Sequence, residues 1–272
     1  MRLSAFAASV LLLCLPCQLA PAQTGNPLSP KNVQIIAALH MDAEKGDAGA
    51  QFHLGLDYDL GLGVKQDHSQ AAFWYRKAAE QGNADAQYNL GVLYAEGQGV
   101  AKDDVQAAAW WRQAAKRGNT NAEYNLGVLY AKGQGVSQDY ARAAVWFRKV
   151  AEQGNAAAQL RLGEMYHEGQ GLPQDDVQAA AWWRKAAEQG VADAQYNLGI
   201  ACATGRGEPK DYAEAYFWMN LATKSTVEGT KQEDMDKARD EAASYLTAQE
   251  LSQVQARTRK WLEDHPAKES SQ

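Results

Sequence analysis

Cysteine is scarce in this chain of 272 residues, with three in all, and two of them, Cys14 and Cys17, lie within the first 22 positions. That stretch carries Arg2, an apolar core from Phe6 to Leu15, and the small residues Ala20 and Ala22. It predicts a secretory signal cleaved after Ala22, because the apolar core is too short to span a bilayer as a stable helix. Neither cysteine follows the small residue that a lipoprotein signal places before its cysteine, which argues against a lipid anchor. Cys202 alone is left in the mature chain, so an internal disulfide is excluded even in a compartment that permits one. Stability has to come from packing.

Long apolar runs are also missing: after the leader no segment approaches membrane-spanning length, so direct membrane insertion is not expected. No charge sign dominates. The chain has 27 Lys plus Arg against 33 Asp plus Glu, a formal net charge of −6, with acidic and basic residues interleaved. That balance makes nucleic acid and anionic membranes poor partners. The five histidines (His40, His53, His68, His167 and His265) form no HExxH and no pair four apart on one helix, and Cys202 has no CxxC partner. Neither metal nor cofactor is expected. No nucleophile and base stand at an interpretable spacing, so no catalytic residue is assigned.

What the sequence does contain is repetition. AQYNLGVLYAEGQGV at 86–100 returns as AEYNLGVLYAKGQGV at 122–136. Gly55, Gly91, Gly127, Gly163 and Gly199 recur every 36 residues, as do Trp74, Trp110, Trp146, Trp182 and Trp218. An internal period of this length marks an array of supersecondary units, each packing mainly on its neighbours.

One unit reads as two helices. In the second, Asn83 is placed to cap a helix beginning at Ala84, with Asp85 in its first turn and Ala86, Leu90 and Tyr94 in one apolar stripe. Gly97 ends this helix A, and Gly99 supplies a permissive backbone in the loop. Asp103 or Asp104 opens helix B, whose broad face holds Ala107, Ala108, Trp110, Trp111 and Ala114 and which stops at Gly118. Gly91, mid-helix, costs about 1 kcal/mol against alanine, so its recurrence predicts close helix contact. The GxG pairs at 61–63, 97–99, 133–135, 169–171 and 205–207 follow no strand, so they read as helix stops and not as a phosphate cradle. Asp67, Asp103, Asp139, Asp175 and Asp211 read as caps of helix B, too far apart for paired acid and base work.

The ends depart from the pattern. A solitary helix B is expected from Val33 to Lys45, and after the break at TKSTVEGTKQ a polar helix from about Glu233 to Leu246 precedes one opened by a Thr247–Glu250 capping box. The expected organisation is a signal at 1–22, linker and capping helix at 23–47, five repeats at 48–227, capping helices at 228–266 and a disordered tail at 267–272.

The recurring A-x-x-x-L-G-x-x-Y, then G-x-G-V, an Asp, and A-A-x-W-x-x-K-A-A-E-Q-G, resembles the Sel1-like repeats, relatives of the tetratricopeptide repeats. YFWMNLA at 216–222 with RDEAASYLTAQELSQVQA at 239–256 is similar to the ending common to many bacterial members. The resemblance implies an all-α, right-handed superhelical solenoid of antiparallel helix pairs. It also implies a non-catalytic protein-interaction scaffold, monomeric alone and exported to the periplasm of a Gram-negative cell. A β-lactam-binding or weakly hydrolysing activity, linked to a few members, is the alternative, although the SxxK, SDN and KTG set is absent. Several exported members join the two helices of a repeat by a cysteine pair, which this chain lacks. Cys202 stands where other units have Tyr58, Tyr94, Tyr130 and Tyr166, and reads as a small buried substitute.

By the same resemblance, helices A line the concave groove. The position two before the central glycine gives His53, Asn89, Asn125, Arg161 and Asn197 as candidate contacts, and the position before that gives Phe52, Tyr88, Tyr124, Leu160 and Tyr196. Glu164 and His167 join them as departures in the fourth unit. Asparagine can bond an extended backbone through donor and acceptor, and tyrosine offers apolar area with a polar tip. Both readings, groove contact and interhelical stack, stay open for the asparagines, while packing is preferred for the tyrosines. His167, beside Glu168, reads first as an exposed helix-end histidine.

Overall fold

The computed structural model describes residues 30–225 and 230–265. The signal expected at 1–22 and the tail expected at 267–272 lie outside the described residues. Those residues form helices and no strand. Helix α1 (Pro30–Glu44) is followed by five pairs: α2 (Ala48–Leu60) with α3 (His68–Glu80), α4 (Ala84–Glu96) with α5 (Asp104–Lys116), α6 (Thr120–Lys132) with α7 (Tyr140–Glu152), α8 (Ala156–Glu168) with α9 (Asp176–Glu188), and α10 (Ala192–Thr204) with α11 (Tyr212–Ser225). Helices α12 (Thr230–Ser244) and α13 (Ala248–Asp264) close the array against α11. From α1 to α12 each helix packs chiefly on the one before and the one after, which makes the array a helix-pair solenoid of the tetratricopeptide type.

Local chemistry explains the regularity. Asp47, Asn83, Asn119 and Asn155 accept a hydrogen bond from the third amide of α2, α4, α6 and α8. Val191 stands at the equivalent position before α10 and gives no such bond. Helices B are capped by Asp67, Asp103, Asp139, Asp175 and Asp211, so Asp103 and not Asp104 caps α5. Thr247 and Glu250 form the capping box of α13. The ends differ modestly from the sequence reading: α1 starts three residues before Val33, and α12 runs from Thr230, ahead of Glu233, and stops at Ser244.

The central glycine of each helix A is a contact point with its own helix B. A Cβ at Gly91 would stand 2.4 Å from Trp111 Nε1, and one at Gly127 would stand 2.8 Å from Phe147 Cε1. Gly55, Gly163 and Gly199 meet Tyr75, Trp183 and Met219 in the same way. The side chain filling each hairpin is therefore one residue beyond the recurring tryptophan. Trp110, Trp146 and Trp182 are half-buried and pack against the core of the unit before, while Trp74 and Trp218 are buried. The two adjacent aromatics divide the labour: the first joins units, the second fills one.

The second loop glycine has its own role. Gly99, at φ +67°, would drive a Cβ to 2.2 Å from the backbone of His68, and Gly135 and Gly207 approach the backbone of Asp104 and Asp176 as closely. Each loop from the second unit on thus rests on the first turn of helix B in the preceding unit, and no side chain fits between.

Candidate functional site

The position two before the central glycine lies about 200° around helix A from it, so it faces away from the unit's own helix B. His53 and Arg161 are exposed there, and Asn89, Asn125 and Asn197 are half-buried. Three residues on, and so on the same face, come Leu56, Val92, Val128, Glu164 and Ile200, all half-buried. A polar row therefore runs beside a row that is apolar on α2, α4, α6 and α10 and carries Glu164 on α8. The sequence reading did not name this apolar row, although its 36-residue recurrence was the available signal.

The row is not uniform. Asn89 is engaged by the hydroxyl of Tyr75, which also donates to Asp59 at 3.2 Å. The residue equivalent to Tyr75 for Asn125 is Trp111, whose Nε1 is committed to the Tyr88 carbonyl at 3.0 Å. Asn125 Nδ2 is buried and has no partner among the described residues. In the fourth unit Arg161 and Glu164 pair at 2.8 Å, with the Tyr124 hydroxyl also on Arg161. Burial raises the Glu164 carboxyl above the usual range against the pull of Arg161, and Glu168 and Asp193 push it further. For Arg161 burial works against the charge, but Glu164 and Tyr124 outweigh it and hold the guanidinium above its ordinary value.

The tyrosine row is largely core. Tyr88 is buried with Trp111, Ala107 and Leu126, and Tyr124 meets the Phe147 ring edge-on at 5.5 Å. Leu160 is buried and Phe52 half-buried against Tyr75. Burial raises the Tyr196 phenol, and Asp234 of α12 adds to the shift. His167 is not a free helix-end group: its Nδ1 lies 2.6 Å from Asp176 and its ring packs 5.4 Å from Trp183. In the first unit the same two positions hold Asp59 and His68, 2.8 Å apart, with the residue types exchanged.

Two further rows join the units. Gln51, Gln87, Gln159 and Gln195, all buried, donate Nε2 to the carbonyls of Ala43, Ala79, Ala151 and Ala187 at the end of the preceding helix. The third unit has Glu123 there, 1% exposed, and Lys149 of the next helix B reaches it at 2.7 Å. The second row is arginine on tyrosine: Arg76 donates to the Tyr94 hydroxyl, Arg112 to Tyr130 at 3.5 Å and Arg148 to Tyr166 at 2.6 Å. The series begins with His40 edge-on to Tyr58. It ends where Cys202 replaces the tyrosine, and there Arg184 turns to Glu208 at 2.8 Å and Glu214 at 3.8 Å. The Cys202 thiol is buried, and burial followed by Glu208 and Glu214 pushes it up to about 12, a poor nucleophile. Among the described residues no group of His, Cys, Asp and Glu is placed to hold a metal, and no helix is long and apolar enough to cross a membrane.

Helix pairs of near-constant length, stacked through recurring contacts, define a helical-repeat solenoid. This chain belongs to the Sel1 repeat family, whose profile matches it in five consecutive segments, 48–83, 84–119, 120–155, 156–191 and 192–226. The crystal structure of c5321, a protective antigen present in uropathogenic Escherichia coli strains displaying an SLR fold, is similar at 38% identity and a TM-score of 0.73. That match covers 85% of this chain and 48% of the other, so the chain spans about half of that protein's length. A Sel1 repeat protein from Oxalobacter formigenes is similar at 35% identity and a TM-score of 0.69, over 73% of this chain and 82% of its own. No protein of curated function matches this chain. Sel1 repeats form a non-catalytic scaffold family that generally mediates protein–protein interaction.

Proposed function

We propose that this chain is an exported scaffold of the bacterial cell envelope that holds an extended segment of another protein along the outward face of its helices A. The observation that carries the reading is the paired row on that face, with Asn125 and Asn197 beside Val128 and Ile200, all half-exposed, and the two asparagines turned away from the helix B of their own unit. An extended segment laid across successive helices would meet a hydrogen-bonding amide and an apolar contact in each unit. Asn89 belongs to the stack through Tyr75, which separates it from the other two. Periplasmic export rests on the first 22 residues, and the antigenic character of the E. coli relative agrees with it.

The test is in-cell photocrosslinking from position 125 compared with position 113, where Gln113 is exposed on helix B. A discrete partner is expected from position 125 alone, and its co-purification with the chain without crosslinker should fall in an N125A/N197A variant of unchanged helical signal. Capture from position 113 alone would move the surface to helices B, and an unfolded double variant would return both asparagines to the structural stack. Mass measurement of the N terminus after cell fractionation tests the export: cleavage after Ala22 is expected, and a retained leader would overturn it.

A further inference from the structure

A cleft of about 360 Å³ opens where α5, the end of α6 and the start of α7 meet, and Arg112, Tyr130, Ser137, Asp139 and Arg142 line it. It lies at the loop edge of the array, apart from the helix A face. In the neighbouring junctions one arginine meets one tyrosine, Arg76 with Tyr94 and Arg148 with Tyr166, and the second position is Gln106 or Gln178. Here that position is Arg142, and two guanidiniums converge on one phenol, with carbon centres 6.0 Å (Arg112) and 5.6 Å (Arg142) from the Tyr130 ring centroid. The field they create is visible in the phenol itself, which hydrogen bonding from Arg112, opposed by burial and helped by Arg142, holds below the usual tyrosine range. At the last junction the equivalent residue is Glu214, which helps neutralise Arg184.

Only one carboxylate enters this cleft. Asp139 Oδ2 takes Arg142 Nε at 3.1 Å, and its Oδ1 caps α7 through the Arg142 amide. Among the described residues Arg112 pairs with no carboxylate, and its contact with the Tyr130 hydroxyl is long at 3.5 Å. The hydroxyl, receiving donors on its oxygen, donates its own proton to no group among the described residues. The cleft therefore offers two guanidiniums and a phenolic proton and carries one uncompensated positive charge.

We propose that this cleft is a binding site for a single carboxylate of a protein partner, an Asp or Glu side chain or a chain end. The guanidinium fork matches a planar carboxylate in two-point geometry. One negative charge balances the site, whereas a phosphate dianion would overfill it and face Asp139 as well. The site is independent of the helix A face and would act as a second contact on the same or another partner.

The experiment uses the full mature chain labelled with 3-fluorotyrosine, with the Tyr130 resonance assigned by its loss in Y130F. Acetyl-Gly-Glu-Gly-amide, its Gln isostere and inorganic phosphate are titrated in turn. The expected result is a saturable shift of the Tyr130 signal with the Glu peptide, none with the Gln peptide, and a weaker response to phosphate. R142Q, which installs the residue of the neighbouring units, should weaken the Glu peptide at least fivefold with unchanged thermal unfolding, and R112Q should do the same. No saturable shift, equal binding by R142Q, or phosphate binding as tightly as the Glu peptide would overturn the proposal. N125A/N197A should leave this titration untouched, so failure of the helix A reading and failure of this one are separately visible.

Discussion

The junction between the second and third units and the junction between the fourth and fifth use the same positions to opposite ends. In the interior, Arg112 meets Tyr130 and is doubled by Arg142. At the end, Arg184 meets Glu208 and Glu214 across the space that Cys202 leaves, and Arg257 of α13 reaches Glu214 from the other side. Glu208 occupies the loop position that is Val100 and Val136 in earlier units, so the end loses a phenol and gains two carboxylates. The difference teaches that a repeat position takes its role from the unit that follows it: an interior junction can leave charge exposed to a partner, whereas the last must satisfy itself.

The largest effect should come from breaking the two hairpins that flank this contrast. Gly91→Val is expected to cost about 3 kcal/mol, since Trp111 is rigid and its indole nitrogen is already bonded to Tyr88. Gly199→Val should cost roughly half as much, because Met219 is flexible and can yield. Chemical denaturation of both variants checks the order, and equal costs would show that ring rigidity is not what the glycine serves.

Next comes the charge arrangement. Arg184→Met should destabilise by about 1 kcal/mol, because Glu208 is left part-buried without its partner. Adding Glu208→Val, which restores the interior residue, should recover most of that loss in a double-mutant cycle. Arg112→Met should be nearly silent for stability, and a loss as large as that of Arg184→Met would erase the contrast.

A gain of about 1 kcal/mol is expected from Val191→Asn, which gives α10 the cap that α4, α6 and α8 already have. Thermal unfolding is the measurement, and an unchanged midpoint would mean that the last unit unfolds after the step that limits the transition.

The smallest effect is on pH dependence. The Glu164 carboxyl is raised by burial, so the native state binds its proton more tightly than the unfolded state does. Its contribution is most favourable below the unfolded value near 4.3 and is lost as pH rises through the higher folded value. A R161N/E164V variant, which places the residues of the second and third units in the fourth, should therefore gain on the wild type between pH 4 and pH 7. A gap that narrows over that interval would reverse the assignment.

The repeat, the caps and the glycine contact could be read from periodicity because each depends on one unit's own residues. Asn83 and Asp103 cap helices a few residues away, and Gly91 needs a partner within its hairpin. What sequence spacing concealed were the bonds between units. Gln87 onto Ala79 and Arg76 onto Tyr94 each require knowing which faces oppose one another, although the residues recur as plainly as the tryptophans. The candidate helix A row was legible as a row, but not its division: Tyr75 removes Asn89 from it, Trp111 leaves Asn125 unanswered, and both facts depend on the residue of the preceding helix B.

The reach of the arginine bonds bears on how such an array changes length. Arg76 to Tyr94, Arg112 to Tyr130 and Arg148 to Tyr166 each span 18 residues, half the 36-residue period, and each crosses from one unit into the next. An interior duplication or deletion of one whole period therefore returns every arginine to a tyrosine, wherever within the unit the breakpoint falls. A copy of the last period has no such freedom, since Glu208 and Glu214 answer Arg184 and Glu214 also answers Arg257, so Arg184 would meet a tyrosine only by losing these partners. The chain can be lengthened from its middle, and its end behaves as a fixed terminus.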